Sequence, residues 1–108
     1  MGKKRQSTHT QMYLGACLIT IEIPETGSLK DKRSVVKSLV ERARRELRIS
    51  VAEVGALDQW DVAEIGLAYV SNSSPHADEV IAKAVNWIEN NLHEGYLADY
   101  QTQVVQVF

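Results

Sequence analysis

The chain has 108 residues, is 44% hydrophobic and carries a formal net charge of −2, which is enough apolar material for one domain with a single core and no stapling. A lone Cys17 excludes an internal disulfide, and with neither a CxxC pair nor a metal-ligating spacing the composition points to a reducing compartment, the cytoplasm. The charge is unevenly distributed, +6 over residues 1–48 and −8 over residues 49–108, so an anionic partner would meet a local basic surface on a protein whose pI is near 5.9.

Residues 1–11 read as a basic, flexible extension. Lys3, Lys4 and Arg5 precede Leu14-Gly15-Ala16-Cys17, a string reminiscent of a lipoprotein cleavage box. A secretory signal needs about 7–15 continuous apolar residues before the cut, and Gln6 to Gln11 are all polar. No stretch reaches the roughly 18 apolar residues of a membrane span.

From residue 12 onward the periodicities alternate between those of strands and helices. Met12 to Ile23, rich in Ile, Leu and Tyr and stopped by Pro24, predicts a long strand. Pro24-Glu25-Thr26-Gly27 is a turn, after which Ser28 is placed to cap a helix, with Asp31 three residues on. Val36, Leu39, Val40, Ala43 and Leu47 form one apolar helical stripe. Ile49 to Val54 predicts a second strand bent at Gly55, and Asp61 to Val70 a third, with Ala63, Ile65, Leu67 and Tyr69 in alternation. Ser74 followed by Pro75 reads as a cap with proline in the first helical position. Ala77, Val80, Ile81, Ala84, Ile88 and Leu92 then trace a second apolar helix face, and Leu97 to Phe108 predicts a last strand.

The order β-α-β-β-α-β predicts an α+β, ferredoxin-like sandwich in which two helices cover one face of a four-stranded antiparallel sheet, a single domain over residues 12–108. One face of such a sheet should be polar in a monomer. Here Leu14, Ala16 and Leu18 on the first strand, with Gly66, Ala68 and Val70 on the third, make the uncovered face apolar. They are candidates for a homodimer or partner interface, the alternative being that these side chains are simply small and tolerated.

Arg33, Lys37, Arg44 and Arg48 recur at i, i+4, i+11 and i+15 along the first helix, a stripe that suits successive phosphates. The alternative is a solvated face on which Glu41 pairs with Lys37 and Arg45. Lys30, Lys32 and Arg33 crowd the helix start, where the dipole disfavours cations. With the turn at Gly27 and Ser28 they form a candidate anion site, unless Asp31 and Glu25 neutralise them. His9, His76 and His93 are scattered, Cys17 lacks a neighbouring base, and Asp58, Asp61 and Glu64 around Trp60 give only weak grounds for Mg²⁺. No cofactor, metal or catalytic constellation is expected. RNA-recognition, acylphosphatase-like and copper-chaperone chemistry each need residues that the corresponding segments lack.

Ser28-Leu29-Lys30-Asp31-Lys32-Arg33, continued by Ser50-Val51-Ala52-Glu53-Val54, Trp60 and Ala63-Glu64-Ile65-Gly66, resembles the YlxP-like family of small bacterial proteins, a domain of unknown function. The chain differs from that family by its extension and by Gly55-Ala56-Leu57. What the resemblance implies is a ferredoxin-like fold with no established catalysis. It also implies gene neighbourhoods rich in translation and ribosome-maturation factors, which associates the family with RNA or ribosomal particles. The sequence thus leads to two expectations: a non-enzymatic RNA- or ribosome-associated protein that uses Lys30, Lys32, Arg33, Lys37, Arg44 and Arg48, or a homodimeric interaction or ligand-regulatory module with no nucleic-acid role.

Overall fold

The structure, a computed structural model, describes residues 10–108; Lys3, Lys4 and Arg5 of the expected extension lie outside the described residues. Strand β1 (Tyr13–Glu22), helix α1 (Leu29–Leu47), strands β2 (Ser50–Gly55) and β3 (Val62–Ser71), helix α2 (Ser74–Asn90) and strand β4 (Tyr96–Gln106) follow one another along the chain. All paired strands run antiparallel, in the order β2-β3-β1-β4, the topology of a ferredoxin-like sandwich.

Alternation decides which side of the sheet the helices cover. Cys17, Ile19 and Ile21 of β1 and Ala63, Ile65 and Leu67 of β3 are buried together with Val36, Leu39, Val40 and Ala43 of α1 and Ile81, Ala84, Val85 and Ile88 of α2. Seven of these are Ile or Leu, each contributing about 1.5–3 kcal/mol when fully removed from water. Leu47, Val80 and Leu92 are only half-buried, whereas Val85, outside the expected stripe, is buried.

The element ends have identifiable causes. Met12 and Ile23, expected as the ends of β1, lie just outside it but remain hydrogen-bonded: Met12 N–H donates to the Phe108 carbonyl (3.0 Å) and Ile23 N–H to that of Asp61 (2.8 Å). Ser28 caps α1 by accepting from Asp31 N–H at 3.1 Å. The cap of α2 is Ser73, one residue before the expected Ser74, because it is Ser73 Oγ that accepts from His76 N–H (3.3 Å), three residues on. Pro75 then falls at the second helical position, where its missing N–H costs nothing. Gly95 enters β4 with φ 79, and a Cβ there would run into the Glu22 carbonyl, so this turn requires glycine.

A basic helix flank, an open sheet face and a groove between the helices

Five cations survive as exposed groups on one flank of α1. At 100° per residue Lys30, Arg33, Lys37, Arg44 and Arg48 fall within an arc of about 60°, and all five are exposed. Among the described residues none of them lies within 4.0 Å of a carboxylate, and Glu41 pairs with neither Lys37 nor Arg45; the ion pairs are Lys32–Glu53 and Lys83–Glu79. Arg44 is partly committed to the fold, since its Nε donates to the Val51 carbonyl on β2 at 2.8 Å.

Lys32 corrects the expected site. Its side chain is 0% exposed, Nζ donates to the Ala56 carbonyl at 2.8 Å, and Glu53 Oε2 lies 3.0 Å away. That contact is an ion pair off the hydrogen-bonding direction of the carboxylate oxygen. Lys32 thus ties the start of α1 to the β2–β3 connection and is unavailable to a phosphate. Among the described residues neither expected acid forms an ion pair at the helix start; Glu25 Oε1 instead accepts from Gly95 N–H at 2.8 Å. The turn is not a built anion cradle either. Ser28 Oγ is occupied as a cap, open space surrounds Gly27, and the buried Thr26 hydroxyl donates to the Trp60 carbonyl.

The six sheet residues expected to share a face do so as three cross-strand pairs: Leu14 opposite Val70, Ala16 opposite Ala68 and Leu18 opposite Gly66. Ala52 of β2 lies opposite Gly66, and Val105 of β4 opposite Leu14. A register shift between Glu53 and Gly55 re-aims Val54, whose γ-methyl sits where a Cβ on Gly66 would come to 2.9 Å. Val54, Val70 and Val105 are 56%, 53% and 44% exposed. Among the described residues no helix covers this face. Arg44 reaches its margin, lining a hollow of about 460 Å³ with Ser50, Ala52, Val54, Gly66 and Ala68.

Elsewhere the candidates serve packing. Cys17 is buried, which pushes its thiol above the usual range, and it accepts from Thr102 Oγ1 at 3.5 Å. The Tyr69 hydroxyl lies 3.2 Å from His76 Nε2. Asp58, Asp61 and Glu64 do not assemble a metal-ligating group; none exists among the described residues. Tyr96 donates to Glu22 Oε2 at 2.8 Å, a bond that raises the phenol above its ordinary value.

The groove between the helices was invisible to sequence reasoning. Arg42 Nη1 donates to the Asn91 carbonyl at 2.8 Å, and Asn91 Nδ2 to that of Trp87, also at 2.8 Å, which joins α1 to the C-terminal end of α2. Beside this link lies a hollow of about 400 Å³ lined by Arg42, Arg45, Glu46, Trp87, Asn91 and His93. The i, i+4 spacing of Trp87 and Asn91 was a usable local signal; which turn of α1 faces them is a tertiary fact.

Residues 14–102 match the profile of a family described as a protein of unknown function, DUF503. A 68-residue stretch, 63% of this chain and 74% of the relative, is 31% identical to the uncharacterized protein YlxP of Bacillus subtilis (strain 168). Among solved structures, a de novo designed protein with a ferredoxin fold superposes with a TM-score of 0.49 at 12% identity, covering 89% of this chain and 85% of that one. The fold assignment rests on strand order and helix placement, and on the profile match across most of its length the chain belongs to the DUF503 family.

Proposed function

We propose that this is a non-catalytic, cytoplasmic RNA- or ribosome-associated protein that holds phosphates along the outer flank of α1. The observation that carries the reading is the row of exposed cations without acidic partners, Lys30, Arg33, Lys37, Arg44 and Arg48. Arg33 to Arg48 spans roughly 22 Å of helix, so the row matches several successive phosphates. The acidic remainder of the chain confines binding to α1 and its margins. Phosphate contacts of this kind release counterions and make affinity fall steeply with salt.

The test is the salt dependence of RNA binding after Lys30, Arg33, Lys37 and Arg48 are replaced by Gln. Arg44 is left in place because it also supports β2, and Lys32 because it is buried. Four lost phosphate contacts lower the slope of log K against log salt by about 3 for a single strand. An unchanged slope removes α1 from the interface. In cell extract the wild-type protein should co-sediment with ribosomal particles at low salt and leave them at high salt.

A second reading is favoured by the bare sheet face: a homodimer formed through Leu14, Ala16, Leu18, Gly66, Ala68 and Val70. Strands of 10, 6, 10 and 11 residues give a face of roughly 600 Å² before side-chain relief is counted, approaching the 800 Å² or so that each partner contributes to a standard interface. A free dimer at every salt concentration, with no RNA bound, is the outcome that would put this reading first.

A further inference from the structure

The geometry points to a second site, on the flank of α1 opposite the cation row: the groove between α1 and the C-terminal end of α2 binds a single unpaired nucleotide, its phosphate on Arg42 and Arg45 and its amino-bearing base against Trp87 and Glu46. This deepens the RNA reading by naming what part of the RNA is held, and it rests on that reading for the rest of the strand.

The hollow is constructed rather than incidental. Arg42 is half-buried and held in place through Nη1 by the Asn91 carbonyl; a guanidinium has five N–H donors, so fixing one orients the rest. Arg45 and His93 line the same space from α1 and from beyond α2. Two permanent cations face one carboxylate there, and among the described residues Glu46 forms an ion pair with neither arginine. A fixed arginine beside a free one is the arrangement that engages a phosphate by charge-assisted, forked hydrogen bonds. An adjoining hollow of about 230 Å³ continues the groove past Arg42 and His93 over Val35, Leu39 and Leu92.

The remaining wall determines the class of ligand. Trp87 is half-buried, packed against the core, and lines the hollow beside polar groups. A base stacked on such a side chain gains about 1–3 kcal/mol whatever its identity. Glu46 adds selectivity: a carboxylate only accepts, so it suits a base with an exocyclic amine, such as the N4 of cytosine. At about 400 Å³ the hollow has room for one nucleotide. A duplex keeps its bases stacked and paired, so only a single-stranded or looped RNA can insert one.

The chain has two tryptophans, Trp60 and Trp87. Trp60 is 49% exposed, and a Trp60→Phe variant therefore leaves Trp87 as a clean fluorescent reporter. Fluorescein-labelled oligocytidylate and oligouridylate of about eight nucleotides, a span typical of one small single-strand site, are titrated into that variant. Anisotropy of the label reads RNA binding, and tryptophan emission reads the groove; CMP serves as the phosphate-bearing ligand without a flanking strand. Quenching of Trp87 by oligocytidylate and by CMP, diminished by Arg45→Gln, supports the site, and Trp87→Leu should weaken oligocytidylate binding about 5- to 100-fold. A rise in anisotropy with Trp87 emission unchanged overturns the groove and leaves the α1 reading intact. Quenching by CMP with no anisotropy change for either RNA upholds the groove and overturns the α1 reading. Silence in both channels overturns both. Equal quenching by the two homopolymers, unaltered in Glu46→Gln, overturns the role given to Glu46.

Discussion

Arg48 closes α1 in a left-handed conformation, φ 55 and ψ 42, with its N–H donating to the Arg44 carbonyl at 3.1 Å. Glycine is the residue usually found in that conformation, because a Cβ crowds the backbone there at a cost of about 1–2 kcal/mol. Arg48→Gly removes that cost but returns freedom to the unfolded chain. We expect a net gain of about 0.5 kcal/mol, read as a higher urea midpoint at unchanged slope, while Arg48→Val loses about 1 kcal/mol or more. The exposed arginines were legible in the sequence because their i, i+4, i+11 spacing is itself the signal. Lys32 was misread for a related reason: among eight cations on one helix it passes for another surface charge. Its spacing told otherwise, for Val36, Leu39 and Ala43 follow it at +4, +7 and +11, on the buried stripe. The acceptors that make the burial tolerable, Ala56 and Glu53, lie more than twenty residues downstream, where no local pattern reveals them.

Helices and strands were legible because each carries its own period, and their ends were set by single hydrogen bonds that the period does not encode, as at Ser73 and Met12. Contacts between elements were not legible. Lys32 links α1 to the β2–β3 connection through the Ala56 carbonyl and to β2 through Glu53, whose carboxylate is mostly shielded, with its side chain 21% exposed. Removing one member of such a pair leaves the other poorly solvated, whereas replacing both by apolar groups of similar size can be nearly neutral. Lys32→Met should cost about 3 kcal/mol, discounted from a fully buried pair for the remaining exposure of Glu53. Adding Glu53→Leu should restore most of that loss; a double variant as unstable as the single one would show that the Ala56 carbonyl, not the ion pair, holds the helix. Chemical denaturation of the single and double variants measures both.

At the scale of the molecule, the five-cation row of α1 sits on one flank, while the acids are dispersed over β2, β3, α2 and β4, as Glu53, Glu64, Glu79 and Asp99. Arg44 reaches the carbonyl of Val51 on β2, one edge strand of the sheet, so the basic flank overhangs that edge. At the other edge β4 carries Asp99 and pairs Tyr96 with Glu22. Composition and the first helix made the basic row legible; that it lies beside β2, whose own Glu53 is taken up by Lys32, follows only from the topology. The uncovered sheet face between these edges is apolar along β1 and β3 but polar on β4, where Gln103 and Gln101 lie opposite Ala16 and Leu18, and it lacks charge at its centre, where Ala16 lies opposite Ala68. If it joins two copies, light scattering at tens of micromolar, well above the Kd of a standard interface, gives about twice the 12.1 kDa of one chain. Ala68→Glu then gives a monomer, since a carboxylate buried without a partner is costly. A wild-type monomer removes the homodimer.

The burial of Lys32 also gives the lysines of this chain unequal chemical lives. Its amine is sealed between α1 and the β2–β3 connection, whereas Lys30, Lys37 and Lys83 stand exposed. Acylation, enzymatic or spontaneous, can reach those three in the finished fold, each time erasing a surface charge. It can reach Lys32 only on a nascent or opened chain, and an acylated Lys32 could no longer close the pair with Glu53. The same modification that tunes the protein's surface at one position would therefore, two residues away, mark a molecule that lacks an internal tie of its fold.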